Sequence, residues 1–249
     1  MIVIPMAGAS KRFADAGYRQ PKYMLPLRER PLFDWAVGSF AAYFHDQPFQ
    51  FIVRDEPGVV DFVTARAEAL GIARFALALL DRPTSGQAET VERGLAIAGR
   101  PASEPLAIFN IDTIRPGIAC DPINGMAGWL ETFSAAGDNW SFIEPAVDDP
   151  ALVTRCTEKQ RISDHCCTGL YQFASADLFA QALAAERRKP SSHELFVAPL
   201  YNHLIAAGHR IGWRQVAAER VVLAGVPAEY EALLASFPPI LDELAGSLA

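Results

Sequence analysis

A chain of 249 residues, 51% of them hydrophobic, is long enough to bury a full core as one large α/β domain. Its 22 Lys and Arg against 29 Asp and Glu leave a net charge of -7, which excludes a broad basic face able to neutralise a nucleic-acid polymer at many phosphates. No apolar run reaches the roughly twenty residues of a membrane span, and "MIVIPMAG" lacks the charged start and long apolar stretch of a secretory signal, so the reading is a cytoplasmic protein with no membrane partner.

Taken in chain order, "IVIPM" (residues 2–6) reads as a buried strand and "PLFDWAVGSFAAYF" (31–44) as a helix with proline at its start and Phe33 and Trp35 in the core. "FQFIVR" is a second strand, followed by a helix over 59–70 that stops at Gly71. "RFALALL" is a third strand, and 84–98 a helix with Thr84 and Gln87 at capping-box spacing. "PLAIFNID" is a fourth, running apolar into a polar tip at Asn110 and Asp112. This β-α-β-α-β-α-β order predicts a single-domain α/β architecture, a mostly parallel mixed sheet with helices on both faces.

Later segments are more mixed. "NWSFIEP" and "TGLYQF" read as strands, "ADLFAQALAAERR" and "HELFVAPLYNHLIAAG" as helices, and "HRIGWRQV" and "ERVVLAG" as late strands. From Pro227 onward the tail reads as two short helices separated by "FPP". Cys120, Cys156, Cys166 and Cys167 have neither C-x-x-C nor zinc-type spacing, and neighbours 166 and 167 on a strand would face opposite ways, so reduced structural thiols are expected. His193 and His203, ten apart, do not share a helical face at ligand spacing and read as structural or exposed.

In an open α/β sheet the loop after the first strand is the usual phosphate site. Here it contains neither G-x-G-x-x-G nor G-x-x-x-x-G-K-[ST]. What it offers is a run of small residues, Ala7, Gly8, Ala9 and Ser10, whose backbone N–H groups a ligand can approach, then Lys11 and Arg12, and ten positions later Lys22 between Pro21 and Tyr23. A planar guanidinium and a point-charge ammonium could grip a triphosphate from two sides, or the stretch could be a solvated basic loop.

"MAGASKRF" and "QPKYMLPL" resemble the opening signature of the sugar-nucleotidyltransferase (nucleotide-sugar pyrophosphorylase) family, close to A-G-x-G-[ST]-R-[FL] followed by P-K. The resemblance continues in order through "SGQAETV", "NID", "EK" at Glu158 and Lys159, "TGLYQF" and "ELFVAPLYNHLIAAG", and so covers nearly the whole chain. It implies a Rossmann-like nucleotidyltransferase (GT-A-like) fold. It also implies a reaction that joins a sugar 1-phosphate to a nucleoside triphosphate, releases pyrophosphate and forms an NDP-sugar for surface polysaccharide or another glycoconjugate.

The resemblance further implies roles for particular residues. Arg12, Lys22 and Lys159 would be catalytic, the last on the sugar phosphate, and residues 7–11 with Gly86 and Gln87 would bind the nucleotide. Glu158, Gly169, Tyr171 and Glu194 would meet the sugar. Asp112, at the tip of a buried strand where a carboxylate needs a cation, would hold Mg2+. Each has a plainer reading as well: helix start for Gly86, loop cap for Asp112, surface charge for the E-K pair, turn glycine and core aromatic for Gly169 and Tyr171, helix-start contact for Glu194.

The chain departs from the family pattern twice. Ser10 stands at the family's second glycine, tolerable if its backbone stays in a region open to residues with a Cβ. Leu223, in "LAGVPAEYE", stands where many members carry the aspartate that completes the metal site. The alternatives are therefore a cytidylyltransferase acting on a non-sugar phosphate, a glycosyltransferase with a similar sheet, or a sugar-nucleotide-binding regulator. The nucleotide, the sugar and the oligomeric state are not legible in the sequence.

Overall fold

The opening apolar run forms strand β1 (Ile2–Pro5) in a computed structural model, which describes residues 1–99, 101–120 and 123–248. The short helix α1 (Lys11–Asp15), the hairpin strands β2 (Pro26–Leu27) and β3 (Arg30–Pro31), and α2 (Leu32–Gly38) follow. Next come β4 (Phe49–Arg54), α3 (Val59–Ala69), β5 (Phe75–Leu80), α4 (Gln87–Ala98), β6 (Leu106–Phe109) and β7 (Thr113–Ile114). Then β8 (Gly128–Phe133), β9 (Ser141–Pro145), β10 (Val153–Glu158), β11 (Cys166–Phe173), α5 (Ala176–Arg188) and α6 (Leu200–Ala206). The chain closes with β12 (Ile211–Gln215), β13 (Val222–Leu223), α7 (Pro227–Ala235) and α8 (Pro239–Ser247).

Two compact units emerge, each assembled from separated stretches of chain. The first comprises Met1–Val3, Thr84–Phe109 and Cys120–Ala218. In it β6 runs parallel to the start of β1 and antiparallel to β11. β11 also pairs antiparallel with β8 and β9, β9 with β10, and β12 runs parallel to β8. The sheet is thus mixed, as expected of the α/β class. Of its antiparallel pairs only β9–β10 is joined by a short loop. Phe173 stacks on Tyr201 and meets Phe179 edge-on, binding α5 and α6 to this sheet.

The second unit comprises Ile4–Pro83, Asn110–Ala119 and Glu219–Ala249. β4 and β5 pair in parallel, and β13 pairs antiparallel with β7. Phe13, Leu27, Leu32, Trp35, Ile114, Tyr230 and Leu241 form its core cluster, each burial contributing about 1.5–3 kcal/mol. Phe33 and Trp35 are core residues, as expected.

Some element boundaries differ from the sequence reading. The helix expected over 31–44 ends at Gly38, which lies where a Cβ would stand 2.7 Å from Leu248, and resumes only as a 3-10 turn at Ala41–Tyr43. The helix expected from Thr84 starts at Gln87, and no capping box forms: Thr84 Oγ1 is engaged with Thr90 Oγ1 at 2.7 Å, and Gly86 has a φ of +150°. "HELFVAPLYNHLIAAG" is helical only over Leu200–Ala206. Its first half is held extended because the Leu195 N–H donates to Ser85 O and Leu195 O accepts from the Ala88 N–H, both at 2.9 Å, while Pro199 disfavours helix at the residue before it. β8 was hidden in the sequence by Glu131, which is 2% exposed and bonded to Arg214 at 2.8 Å.

Candidate active site

In the second unit, β1 delivers the chain into the small-residue loop, and Met6 N–H anchors it to Ile52 O at 2.8 Å. Gly8 and Ala9 are exposed, and among the described residues nothing lies within 4 Å of where a Cβ on Gly8 would stand, so the backbone is open to a ligand. Ser10 adopts the left-handed conformation (φ 47°, ψ 34°). The condition under which serine is tolerable at the family's glycine is therefore not met: the left-handed geometry is kept, at about 1–2 kcal/mol of strain, where the chain turns into α1. Lys11 sits on exposed helix surface with its ammonium 2.8 Å from Asp15. Arg12 is exposed.

Pro21 and the buried Tyr23 hold Lys22 in a 3-10 turn. From there its Nζ reaches Asp112 Oδ2 at 2.5 Å. Asp112 immediately precedes β7, and its carbonyl accepts from the Ala224 N–H at 2.9 Å while β7 and β13 pair beside it. Burial alone would raise the Asp112 carboxyl, but the Lys22 charge and hydrogen bond, a hydrogen bond from its own backbone, and Arg12 together hold it below the ordinary carboxylate range. Of the basic residues singled out from the opening stretch, Lys22 therefore contacts this ionised carboxylate and Arg12 acts on it through its charge, while Lys11 is paired with Asp15.

Magnesium can be tested against these side chains. Among the described residues no group of three or more His, Cys, Asp and Glu converges as a metal cage. Leu223 is the register partner of Thr113, next to Asp112, so its apolar side chain occupies the strand position where a second carboxylate would stand. Gly225 leaves room beside Asp112: a Cβ there would lie 3.0 Å from Oδ2 and 3.5 Å from Glu229 Oε2. Glu229 spends that oxygen on the Gly225 and Val226 N–H groups, at 2.7 and 3.1 Å. One ionised, partly buried carboxylate fits Mg2+, which keeps several waters and takes substrate phosphates as further ligands.

In the first unit, Glu158 ends β10 directly opposite Ser141 on β9. Ser141 Oγ hydrogen-bonds Glu158 Oε2 and lies 3.1 Å from Tyr171 Oη. Burial pushes the Glu158 carboxyl above its usual range, against the lowering pull of Ser141 and Lys159, and Glu194 adds to the rise. Tyr171 is buried and its hydroxyl is raised, by burial foremost. Lys159 takes a left-handed φ of 53°, donates its N–H to Trp140 O at 2.8 Å, and extends its ammonium over the Phe196 ring at 4.6 Å. Gly169 (φ 95°) sits in an irregularity of the β11–β8 ladder between Cys167 and Tyr171.

Gly86 and Gln87 are also in this unit, at the start of α4. A Cβ on Gly86 would stand 2.5 Å from Leu195 O, so the glycine is required for close backbone packing; the residue next to Leu195 is Glu194. Ser141, Phe196 and Gly225 join the candidates only here. Ser141 had no charge or motif to mark it, whereas Phe196 lies in the stretch "ELFVAPLYNHLIAAG" and Gly225 in the departed segment, and both could have been flagged. His203 is structural, as expected, with Nε2 2.6 Å from the buried Glu186. Cys156, Cys166 and Cys167 are buried thiols.

No protein-family model matches this sequence, and a search of curated proteins finds no match. Solved structures do match. A nucleoside-diphosphate-sugar pyrophosphorylase from Vibrio cholerae RC9 is 44% identical with a TM-score of 0.90, the match covering 95% of this chain and 100% of that one. An inositol-1-phosphate CTP transferase from T. maritima is 12% identical, with a TM-score of 0.73 over 99% of this chain and 95% of that one. A UDP-glucose pyrophosphorylase complexed with UDP-glucose is 15% identical, with a TM-score of 0.73 over 95% and 97%. The last two speak to the fold alone.

Proposed function

The chain belongs to the nucleoside-diphosphate-sugar pyrophosphorylase family, and on that premise we propose that it transfers a nucleoside monophosphate from an NTP to a sugar 1-phosphate, releasing pyrophosphate and forming an NDP-sugar. The observation that carries this reading is the contact of Lys22 with the ionised Asp112, with Arg12 acting on the same carboxylate. The attacking group is a phosphate oxygen, already largely ionised near neutral pH because its second pKa is about 6, so no protein base is needed. What the protein must supply is alignment and neutralisation of charge.

Residues 7–11, Arg12 and Lys22 are assigned to the triphosphate, and Gly86 and Gln87 to the base. Lys159 is assigned to the sugar phosphate, and Glu158, Gly169, Tyr171 and Glu194 to the sugar. Asp112 would hold Mg2+, which when bound supplies charge neutralisation on the phosphoryl oxygens. Lys22 screens the same carboxylate and keeps it ionised. Among the described residues no helix is long and apolar enough to cross a membrane.

A pyrophosphate-release screen of five NTPs against a panel of sugar 1-phosphates, with and without Mg2+, tests the reading. Release with at least one pair, abolished by chelation and restored by Mg2+, is expected. Folded protein that releases no pyrophosphate with any pair would overturn it.

A further inference from the structure

Glu158, Ser141 and Tyr171 lie on three strands laid in the order β10, β9, β11, so the serine stands between the two larger side chains. Proton bookkeeping fixes how the three connect. An ionised carboxylate only accepts, so the single Ser141 hydroxyl proton goes to Glu158 Oε2. The Ser141 oxygen is then an acceptor, and the Tyr171 O–H, 3.1 Å away, fills it. Tyr171 is 4% exposed and its hydroxyl is spent on this bond. Among the described residues Glu158 Oε1 has no hydrogen-bond partner, which leaves one oxygen of a held carboxylate to receive a donor from outside the protein.

We propose that Ser141 is a positioning residue that, backed by Tyr171, locks the Glu158 carboxylate and holds its second oxygen ready to accept a hydrogen bond from the sugar. This rests on the assignment of Glu158 to the sugar. A site built to pair with a hydroxyl leaves its own buried group unsatisfied when an analogue lacks it, and discriminates strongly, whereas a pocket that merely encloses a ring does not. Tyr171 accordingly acts through Ser141 and does not itself donate to the sugar.

The charged and titratable groups facing Glu158 are Lys159 on the adjoining turn, Glu194 on the extended segment before α6, and Tyr171 and Cys167 on β11. The Ser141 bond opposes the rise that burial imposes on the Glu158 carboxyl. Removing it therefore moves the acid limb of sugar binding to higher pH, because protonated Glu158 no longer offers the acceptor.

The test compares parent, Ser141→Ala, Ser141→Thr and Tyr171→Phe. Expected for Ser141→Ala are a KM for sugar 1-phosphate about tenfold higher with the KM for NTP unchanged, weaker discrimination against the deoxy analogue, and an acid limb displaced upward. Ser141→Thr, which keeps the hydroxyl, restores the limb, and Tyr171→Phe shifts it the same way as alanine but less. Carboxyl-observed NMR titration of Glu158 in the same variants, independent of turnover, should show the same upward shift. An unchanged titration and an unchanged limb in Ser141→Ala would overturn the inference while leaving the transferase reading intact. A parent inactive with every sugar phosphate would sink that reading, and the NMR titration would still decide whether Ser141 governs Glu158.

Discussion

Lys22 and Asp112 hold opposite charges in partial burial, where breaking a pair leaves the survivor uncompensated. Lys22→Ala and Asp112→Ala should each lower kcat/KM by about 10²–10³, equivalent to ~2.7–4 kcal/mol, the scale measured for loss of one charge-stabilising donor elsewhere. Because the two groups touch, the double variant should lose clearly less than the sum of the singles, which steady-state kinetics on all four proteins would reveal. Ser10 gives a stability prediction of opposite sign. Its left-handed backbone favours glycine by about 1–2 kcal/mol, and the added chain entropy of glycine takes back about 0.4–1 kcal/mol. Ser10→Gly should therefore raise the urea midpoint slightly, and a lowered midpoint would show that the serine hydroxyl, which accepts from the Lys22 N–H at 3.4 Å, matters more than the strain.

At the scale of elements, α4 begins where it does because Gly86 lets Leu195 lie against it. Gly86→Ala places a Cβ 2.5 Å from a carbonyl oxygen with no flexible side chain to yield, at a φ that alanine disfavours. A loss of about 1–3 kcal/mol is expected, visible as a reduced denaturant midpoint. The same contact explains why one helix was overdrawn in the sequence reading. "HELFVAPLYNH" carries a helical apolar pattern, yet Leu195 spends its backbone bonds on Ser85 and Ala88, a pairing over a hundred positions away that no local pattern reveals. Strands β1 and β4 were legible as β-branched and aromatic runs bounded by turn residues, and β5 as a short continuous apolar run. β8 was not, because Glu131 breaks its apolar pattern with a charge that is matched only by Arg214, 83 positions away. At the site, Arg12 and Lys22 stood out as cations in an acidic chain and Asp112 as the polar tip of an apolar strand, and their roles came from the family resemblance. Ser141 was not, since its role exists only through cross-strand register with Glu158.

For the molecule as a whole, the chain passes between the two units several times, and the division falls inside β1, between Val3 and Ile4. No single cut separates them, so neither can be completed without the stretches that carry the other. We propose that the chain behaves as one folding domain: calorimetry should show a single transition with matching calorimetric and van't Hoff enthalpies, and two resolved transitions would contradict this. The central claim is that a sugar phosphate oxygen attacks the nucleotide's α-phosphorus. Sugar 1-phosphate carrying 18O in its phosphate, incubated with the preferred NTP and Mg2+, tests this directly by mass spectrometry of both products. The label should appear in the NDP-sugar and be absent from pyrophosphate; labelled pyrophosphate, or no NDP-sugar at all, would contradict the account.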